Sequence, residues 1–240
     1  MTNLEQPEVA AGATSETGVT PETGFTFDVP VHFHDLGMHL SDEERWAHLG
    51  ELAAEIWSGG TEAQREGVQR FYAEVADSAA ADGATYAGIC LMATEDDRVS
   101  TASLIARSET LEGGDVELIT STLMETLSLD PACDVHRTEV EAGPAVVVFA
   151  GVEWLPGAAE EGAPAPEPLQ LVRVDTYLPL PEISELLVFS LTTSSLPDLP
   201  VYVELMAQTA ESVRLLGDDR PVSLPGQPDP AAERLVAAFG

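Results

Sequence analysis

The sequence predicts an α+β fold: an antiparallel β-sheet of six to seven strands covered by helices, with an N-terminal αα-hairpin at residues 41–82. Two capping boxes, each followed by apolar residues at helical spacing, predict the αα-hairpin. Several apolar or alternating segments separated by short turns predict strands joined as β-hairpins, and such connections give antiparallel pairing. Helices laid over an antiparallel sheet define the α+β class.

The αα-hairpin is predicted from two helix starts. Ser41–Glu44 and Thr61–Gln64 each place a hydroxyl residue three positions before a Glu or Gln, which is the spacing of a capping box. Gly59-Gly60 ends the first helix and Asp82-Gly83 ends the second. The apolar stripes expected to face the domain are Trp46, Leu49, Ala53 and Ile56 in the first helix, and Val68, Phe71, Val75 and Ala79 in the second.

The sheet and two further helices follow along the chain. Asp115 predicts the N-cap of a helix that runs to about Leu127, and Pro200 begins a last helix that runs to Leu216. Leu155–Pro168, rich in Pro, Gly, Ala and Glu, is predicted to be a flexible loop. The predicted strands are Phe25–Pro30, Ala84–Thr94, Arg98–Arg107, Val135–Glu141, Ala145–Val152, Leu169–Pro179 and Glu185–Thr193.

One ordered domain is predicted between two tails. Residues 1–24 carry acidic side chains and almost nothing to bury, which is the composition of a disordered acidic arm. Residues 25–216 form a single α+β domain, and the 44% hydrophobic content of the chain is enough for a substantial core.

Residues 217–240 are predicted to be a Pro-rich linker followed by a short amphipathic segment. Asp229-Pro230 has the sequence of a helix start, with the acid as N-cap and proline at the first helical position. The apolar face of the segment consists of Leu235, Val236 and Phe239. This face is a candidate partner-binding surface, and the sequence leaves open whether it docks in cis or in trans.

The charge of the chain restricts its partners. The formal net charge is -32, from 42 Asp and Glu against 10 Lys and Arg, and all the basic residues are arginines. Such a protein repels phosphate backbones and anionic lipid, so the expected partner is a basic or neutral protein, with no nucleic acid and no membrane. No apolar stretch approaches the roughly 18 residues of a membrane span, and residues 1–24 do not resemble a signal peptide, so a cytoplasmic location is predicted.

Four segments resemble parts of Mog1/PsbP-like domains. Leu171–Pro179, Leu186–Thr193 and the helix through Ser212-Val213 are similar to the end of that family, and Phe27–Pro30 is similar to its opening strand. The order of hairpins and helices between these segments also fits, so the resemblance spans residues 25–216, with the two-helix segment as a departure. The resemblance implies a docking or accessory protein and transfers no functional residue to this chain.

A histidine cluster is a candidate metal site. His32 and His34 would point to the same side of an extended segment, and His39 follows closely with acidic residues nearby. Imidazoles combined with a carboxylate suit zinc or a similar divalent metal. The alternative is a loop whose histidines are exposed or hydrogen-bonded, and the sequence favours this alternative.

Trp57-Ser58-Gly59 lies at the turn between the two predicted helices. It resembles the hallmark of the small helical-hairpin substrates of type VII secretion, and this resemblance covers residues 41–82 only. The simpler interpretation is structural, with Gly59 as a left-handed C-cap and Trp57 packed over the hairpin junction.

The sequence therefore predicts a binding or accessory protein of non-enzymatic type. It contains no recognisable nucleophile, metalloprotease, phosphate-loop or dinucleotide motif, and no cofactor is expected. The first alternative is a metal-binding protein or metal-dependent enzyme that uses His32, His34 and His39. The second alternative is an accessory factor of type VII secretion. The oligomeric state is left open.

Moderate salt is expected to raise the melting temperature, because screening weakens the mutual repulsion of the 42 acidic side chains. Thermal denaturation followed by circular dichroism at low and moderate ionic strength measures this effect. A melting temperature that is the same at both ionic strengths would contradict the expectation.

Overall fold

The computed structural model describes residues 17–18, 24–94, 96, 98–154 and 168–216, and it has the predicted α+β fold. The helices are α1 (Asp42–Ile56), α2 (Glu62–Ala81), α3 (Val116–Leu127) and α4 (Leu199–Glu211). The strands are β1 (Thr17–Gly18), β2 (Phe25–Asp28), β3 (Phe33–Asp35), β4 (Ala84–Ala93), β5 (Val99–Thr110), β6 (Cys133–Val140), β7 (Gly143–Trp154), β8 (Leu169–Leu180), β9 (Glu185–Thr193) and β10 (Arg214–Leu215). Two residues of the predicted disordered arm 1–24 are ordered instead, because Thr17–Gly18 pairs with β2 as strand β1. Apart from these and Gly24, the arm lies outside the described residues, as do residues 217–240 and most of the predicted loop 155–168.

The main sheet has seven antiparallel strands in the order β3-β4-β5-β9-β8-β7-β6. The predicted strand at Phe25–Pro30 forms as β2, but it pairs with β1 and β10 in a separate three-stranded sheet. One edge strand of the main sheet is instead β3, which the sequence did not predict; the other edge strand is β6. The reason is local, because a turn closed by the Phe33 amide and the Pro30 carbonyl at 2.9 Å ends β2 and redirects the chain.

One face of the sheet is sealed by α4 and β2. Phe27 packs edge-on against Phe189 of β9 and Tyr86 of β4, with ring centroids 5.1 and 6.0 Å apart. Tyr202 of α4 is fully buried in the same cluster. This core extends from β2 to the end of α4, and a second buried cluster lies between the αα-hairpin and β4. That residues 25–216 form a single domain stays a prediction.

The last helix is shorter than predicted. It ends at Glu211, and Arg214-Leu215 forms β10 against β2. Ser212 accounts for the change, because its hydroxyl donates to the Thr209 carbonyl at 2.7 Å and accepts from the Asp28 amide at 2.8 Å. The side chain thus ends the helix and fastens it to β2.

On the opposite face of the main sheet, helices cover the two sides. The predicted αα-hairpin forms as α1 and α2, with both capping boxes present, and α2 packs on β4. On the other side α3, capped by Asp115 as predicted, packs on β6, β7 and β8. The two helical stripes are only partly as predicted: Leu49 and Ala53 are buried, whereas Trp46 is 48% and Phe71 52% exposed.

Replacing Tyr202 with Phe is expected to lower the free energy of unfolding by about 1–2 kcal/mol, because it removes one buried hydrogen bond. The Tyr202 hydroxyl lies 2.7 Å from the Ser100 hydroxyl, and both residues are fully buried. Denaturant unfolding of Tyr202→Phe, Ser100→Ala and the double variant measures the coupling. The double variant should cost less than the sum of the single ones, and strict additivity would contradict a shared bond.

Candidate functional site

A groove of about 720 Å³ lies on the sheet face opposite α4. It runs between α2 and the place where β7 ends, at Trp154, and β8 begins, at Leu169. Side chains alternate between the two faces of a sheet, so the residues of β9 that do not face α4 contribute to the groove floor. Ser103 of β5 and Thr192 of β9, which are register neighbours, lie on this floor. The volume is within the range of specific ligand sites.

The wall of the groove on the hairpin side is one face of α2. Gln64, Val68, Phe71 and Val75 line it at helical spacing, so the groove follows α2 for about 16 Å. Gly67 lies in the middle of this wall, and a Cβ built on it meets no atom within 4 Å. The missing side chain therefore widens the groove at its centre.

Large apolar side chains are exposed around the groove. Trp57 is 43%, Phe71 52%, Trp154 45% and Leu169 46% exposed, and all four line the groove. Trp57 follows α1, whereas Trp154 ends β7 and Leu169 begins β8, where the two residues are paired in register. Apolar side chains clustered at one concave surface are typical of an interaction site.

The floor can donate and accept hydrogen bonds but offers a poor nucleophile. Among the described residues, the hydroxyls of Ser103 and Thr192 have no hydrogen-bond partner, so they are available to a bound molecule. Cys90 also borders the groove, and burial raises the pKa of its thiol to about 11. The thiol is protonated at neutral pH and is unreactive in that form.

A charged pair lies beside the floor. Arg173 pairs with Thr192 in register, and its Nε donates to Asp175 Oδ2 at 2.8 Å. Asp175 is 4% exposed, while Arg173 remains half-exposed. The guanidinium thus partly compensates a buried carboxylate.

Trp57 is held in place by a clamp across the interhelical turn. Arg65 of α2 donates to the carbonyls of Trp57 and Ser58 at 3.2 Å and to that of Gly60 at 2.7 Å. The Trp57 indole N–H also lies 3.5 Å from the Tyr72 hydroxyl. Three carbonyls of the turn between α1 and α2 are therefore satisfied by a guanidinium from α2.

The expected left-handed cap at Gly59 is wrong. The described glycines with positive φ are Gly37, Gly83 and Gly143. The C-cap is Trp57, whose amide donates to the Ala53 carbonyl at 3.0 Å, and Arg65 holds the turn that follows. The Trp57 side chain does reach across the junction, since its indole N–H lies near the Tyr72 hydroxyl of α2, and it remains 43% exposed.

The histidines predicted as metal ligands lie around β3. His32 is exposed in the turn before the strand, so alternation does not place it on the side of His34. His34 borders a second, smaller cavity of about 390 Å³, and His39 Nδ1 lies 3.7 Å from Asp35 Oδ2. Within the described ranges no group of three or more His, Cys, Asp or Glu side chains is placed to hold a metal ion. Metal binding by His32, His34 and His39 stays a prediction.

The other predicted partner surface, Leu235, Val236 and Phe239, lies outside the described residues. Most of the groove was not predicted either. The sequence pattern predicts Phe71 on a buried stripe, and nothing in the local sequence indicates that Trp154 and Leu169 converge on α2. The one local signal is Gly67, a glycine inside a helix-forming segment, which leaves the surface of that helix without a side chain at this position.

The chain gives no match to a protein-family model, to a curated protein or to a solved structure. The Mog1/PsbP-like resemblance and the resemblance to type VII secretion substrates therefore stay predictions from the sequence.

Arg65→Ala is expected to lower the free energy of unfolding by about 1–2 kcal/mol, because it leaves the carbonyls of the Trp57 turn without their charged donor. Arg70→Ala is the matched control, since Arg70 is an exposed arginine of the same helix that donates only a 3.3 Å bond to the Glu66 carbonyl. Denaturant unfolding of both variants measures the difference. Equal losses would contradict the clamp.

Proposed function

We propose that the protein is a non-enzymatic binding protein whose groove receives an apolar helical segment of a basic or neutral protein partner. The observation that carries the proposal is the groove itself, a long apolar concavity with exposed aromatic side chains on both sides. Aromatic side chains in such positions supply most of the binding energy at protein interfaces. A helix laid in a groove is one of the recurring modes of peptide recognition.

The dimensions favour a helix as the bound element. The groove follows α2 for about 16 Å, which equals three helical turns. On this face the described helices pack over β4 on one side and over β6, β7 and β8 on the other, and the groove lies between them. A helix bound there would continue the helical layer and pack its apolar face on Ile89, Leu91 and Leu171.

The charge favours a partner with basic or neutral flanks. Glu74 is exposed on α2 beside the groove wall, and the whole chain carries -32. Opposite charge accelerates encounter, and like charge suppresses wrong partners. The implied Mog1/PsbP-like resemblance also supports an accessory role. No described helix is long and apolar enough to cross a membrane, and we propose that binding occurs in the cytoplasm.

A synthetic helical peptide tests the proposal with full-length protein. The peptide has about fifteen residues, with Leu on one face and Lys elsewhere, and carries a fluorescent label. It should bind with micromolar affinity at physiological salt. Gly67→Phe should weaken this binding at least tenfold, because the new ring enters open groove space and leaves the core untouched.

Two controls separate groove binding from attraction between opposite charges. A scrambled peptide of the same composition has the same charge but no apolar face, and it should bind far more weakly. Ala80→Phe places the same ring on an exposed position of α2 that does not line the groove, and it should leave the affinity unchanged. Equal binding of both peptides, or no effect of Gly67→Phe, would contradict the proposal. Fluorescence anisotropy measures each affinity.

A further inference from the structure

We infer that residues 230–240 of this same chain occupy the groove as a helix when no partner is bound, so that the protein carries its own competitor. The inference rests on the proposed function of the groove. It names an occupant that the proposed function does not require, and the two can fail separately.

The segment and the groove have the same length. As a helix, Pro230–Gly240 is about 15 Å long, and the groove follows α2 for about 16 Å. Asp229 supplies an N-cap and Pro230 a first helical residue, so the segment has a defined helix start. A helix of this length is marginal alone in water, so it needs an apolar surface to form.

The side chains and the charge of residues 230–240 also suit the groove. Leu235, Val236 and Phe239 lie on one side of the helix, as a groove lined by Val68, Phe71 and Leu171 requires. Residues 230–240 carry one Glu and one Arg, Glu233 and Arg234, and are therefore neutral. In a chain of net charge -32 this is one of few segments that can approach the acidic α2 without strong repulsion.

The linker of residues 217–229 is long enough to bring residues 230–240 to the groove. The last described residue, Leu216, is held on the opposite side of the sheet, where its amide donates to the Gly24 carbonyl at 2.8 Å. Residues 217–229 span up to about 45 Å when extended. A domain of this size has a radius of gyration of about 16 Å, so the segment can pass around the sheet edge.

The neighbouring segment 155–167 is a weaker candidate. It joins Trp154 to the strand that begins at Leu169, so it starts and ends beside the groove. Its prolines at 156, 164 and 166 oppose a helix, and beyond Leu155 it has no large apolar side chain to bury. The groove therefore gains more apolar contact from residues 230–240.

An internal occupant lowers the apparent affinity for a partner. A linker of about this length gives an effective concentration of about 1 mM, so a segment with an intrinsic dissociation constant of about 0.1 mM fills about 90% of the grooves. The partner then competes for the remaining open fraction, and its apparent affinity falls about tenfold. Only a segment that binds tightly displaces the internal one.

Two full-length variants test the inference. Leu235→Glu/Phe239→Glu places charge on the apolar face, whereas Ala237→Glu, on the opposite side of the helix, is the matched control. Tryptophan emission reports the state of the groove, because Trp57 and Trp154 line it, while Trp46 lies outside and adds a constant background. Acrylamide quenching and the affinity of the Leu/Lys peptide are measured on the same samples.

The double variant should shift emission to the red, increase quenching and raise peptide affinity about fivefold to tenfold, whereas Ala237→Glu should do none of these. Identical emission and quenching in the two variants would overturn the inference, and a groove signal that disappears on dilution would overturn it in favour of a second copy of the chain. Peptide binding that Gly67→Phe abolishes but the double variant leaves unchanged keeps the proposed function and rejects the inference. If emission and quenching change in the double variant but the peptide does not bind, the inference is kept and the proposed function is rejected.

Discussion

The structure depends on covering both faces of a sheet whose central strand is apolar. β9 lies between β5 and β8, and Leu187, Phe189 and Leu191 on one of its faces are fully buried under α4 and β2. The other face of β9 carries Val188, which is fully buried, and then the polar residues Ser190 and Thr192, which need less cover. Helices there stand at the two sides of the sheet, and the groove is the space between them.

The residues that form the walls of the groove are held in place by contacts with the rest of the fold. Arg65 holds the turn that carries Trp57, Tyr72 anchors α2 in a second buried cluster, and paired strands hold Trp154 against Leu169. Preorganised walls reduce the entropy lost on binding. A groove of this kind exposes apolar surface that water disfavours, so one site can serve both a partner segment and a weaker segment of the same chain.

Local signals in the sequence predicted much of the fold. The capping boxes at Ser41 and Thr61 located both hairpin helices, and alternation located most strands. The features that the sequence did not predict depend on contacts between residues that are distant in the sequence. The exchange of β2 for β3 at the sheet edge depends on a turn, and the exposure of Phe71 depends on which strands α2 covers. The groove could not be predicted for the same reason, because its two sides are distant in the sequence.

Site-specific photo-crosslinking tests the central claim, that the groove holds a helical segment of this chain. A benzophenone amino acid replaces Phe71, whose ring is 52% exposed in the groove, and Trp46 outside the groove provides the control position. Mass spectrometry then locates the crosslink within single chains. If residues 230–240 occupy the groove, position 71 crosslinks to them within one chain, position 46 does not, and the Leu/Lys peptide suppresses the crosslink. Crosslinks from position 71 that never reach residues 230–240 would contradict the claim.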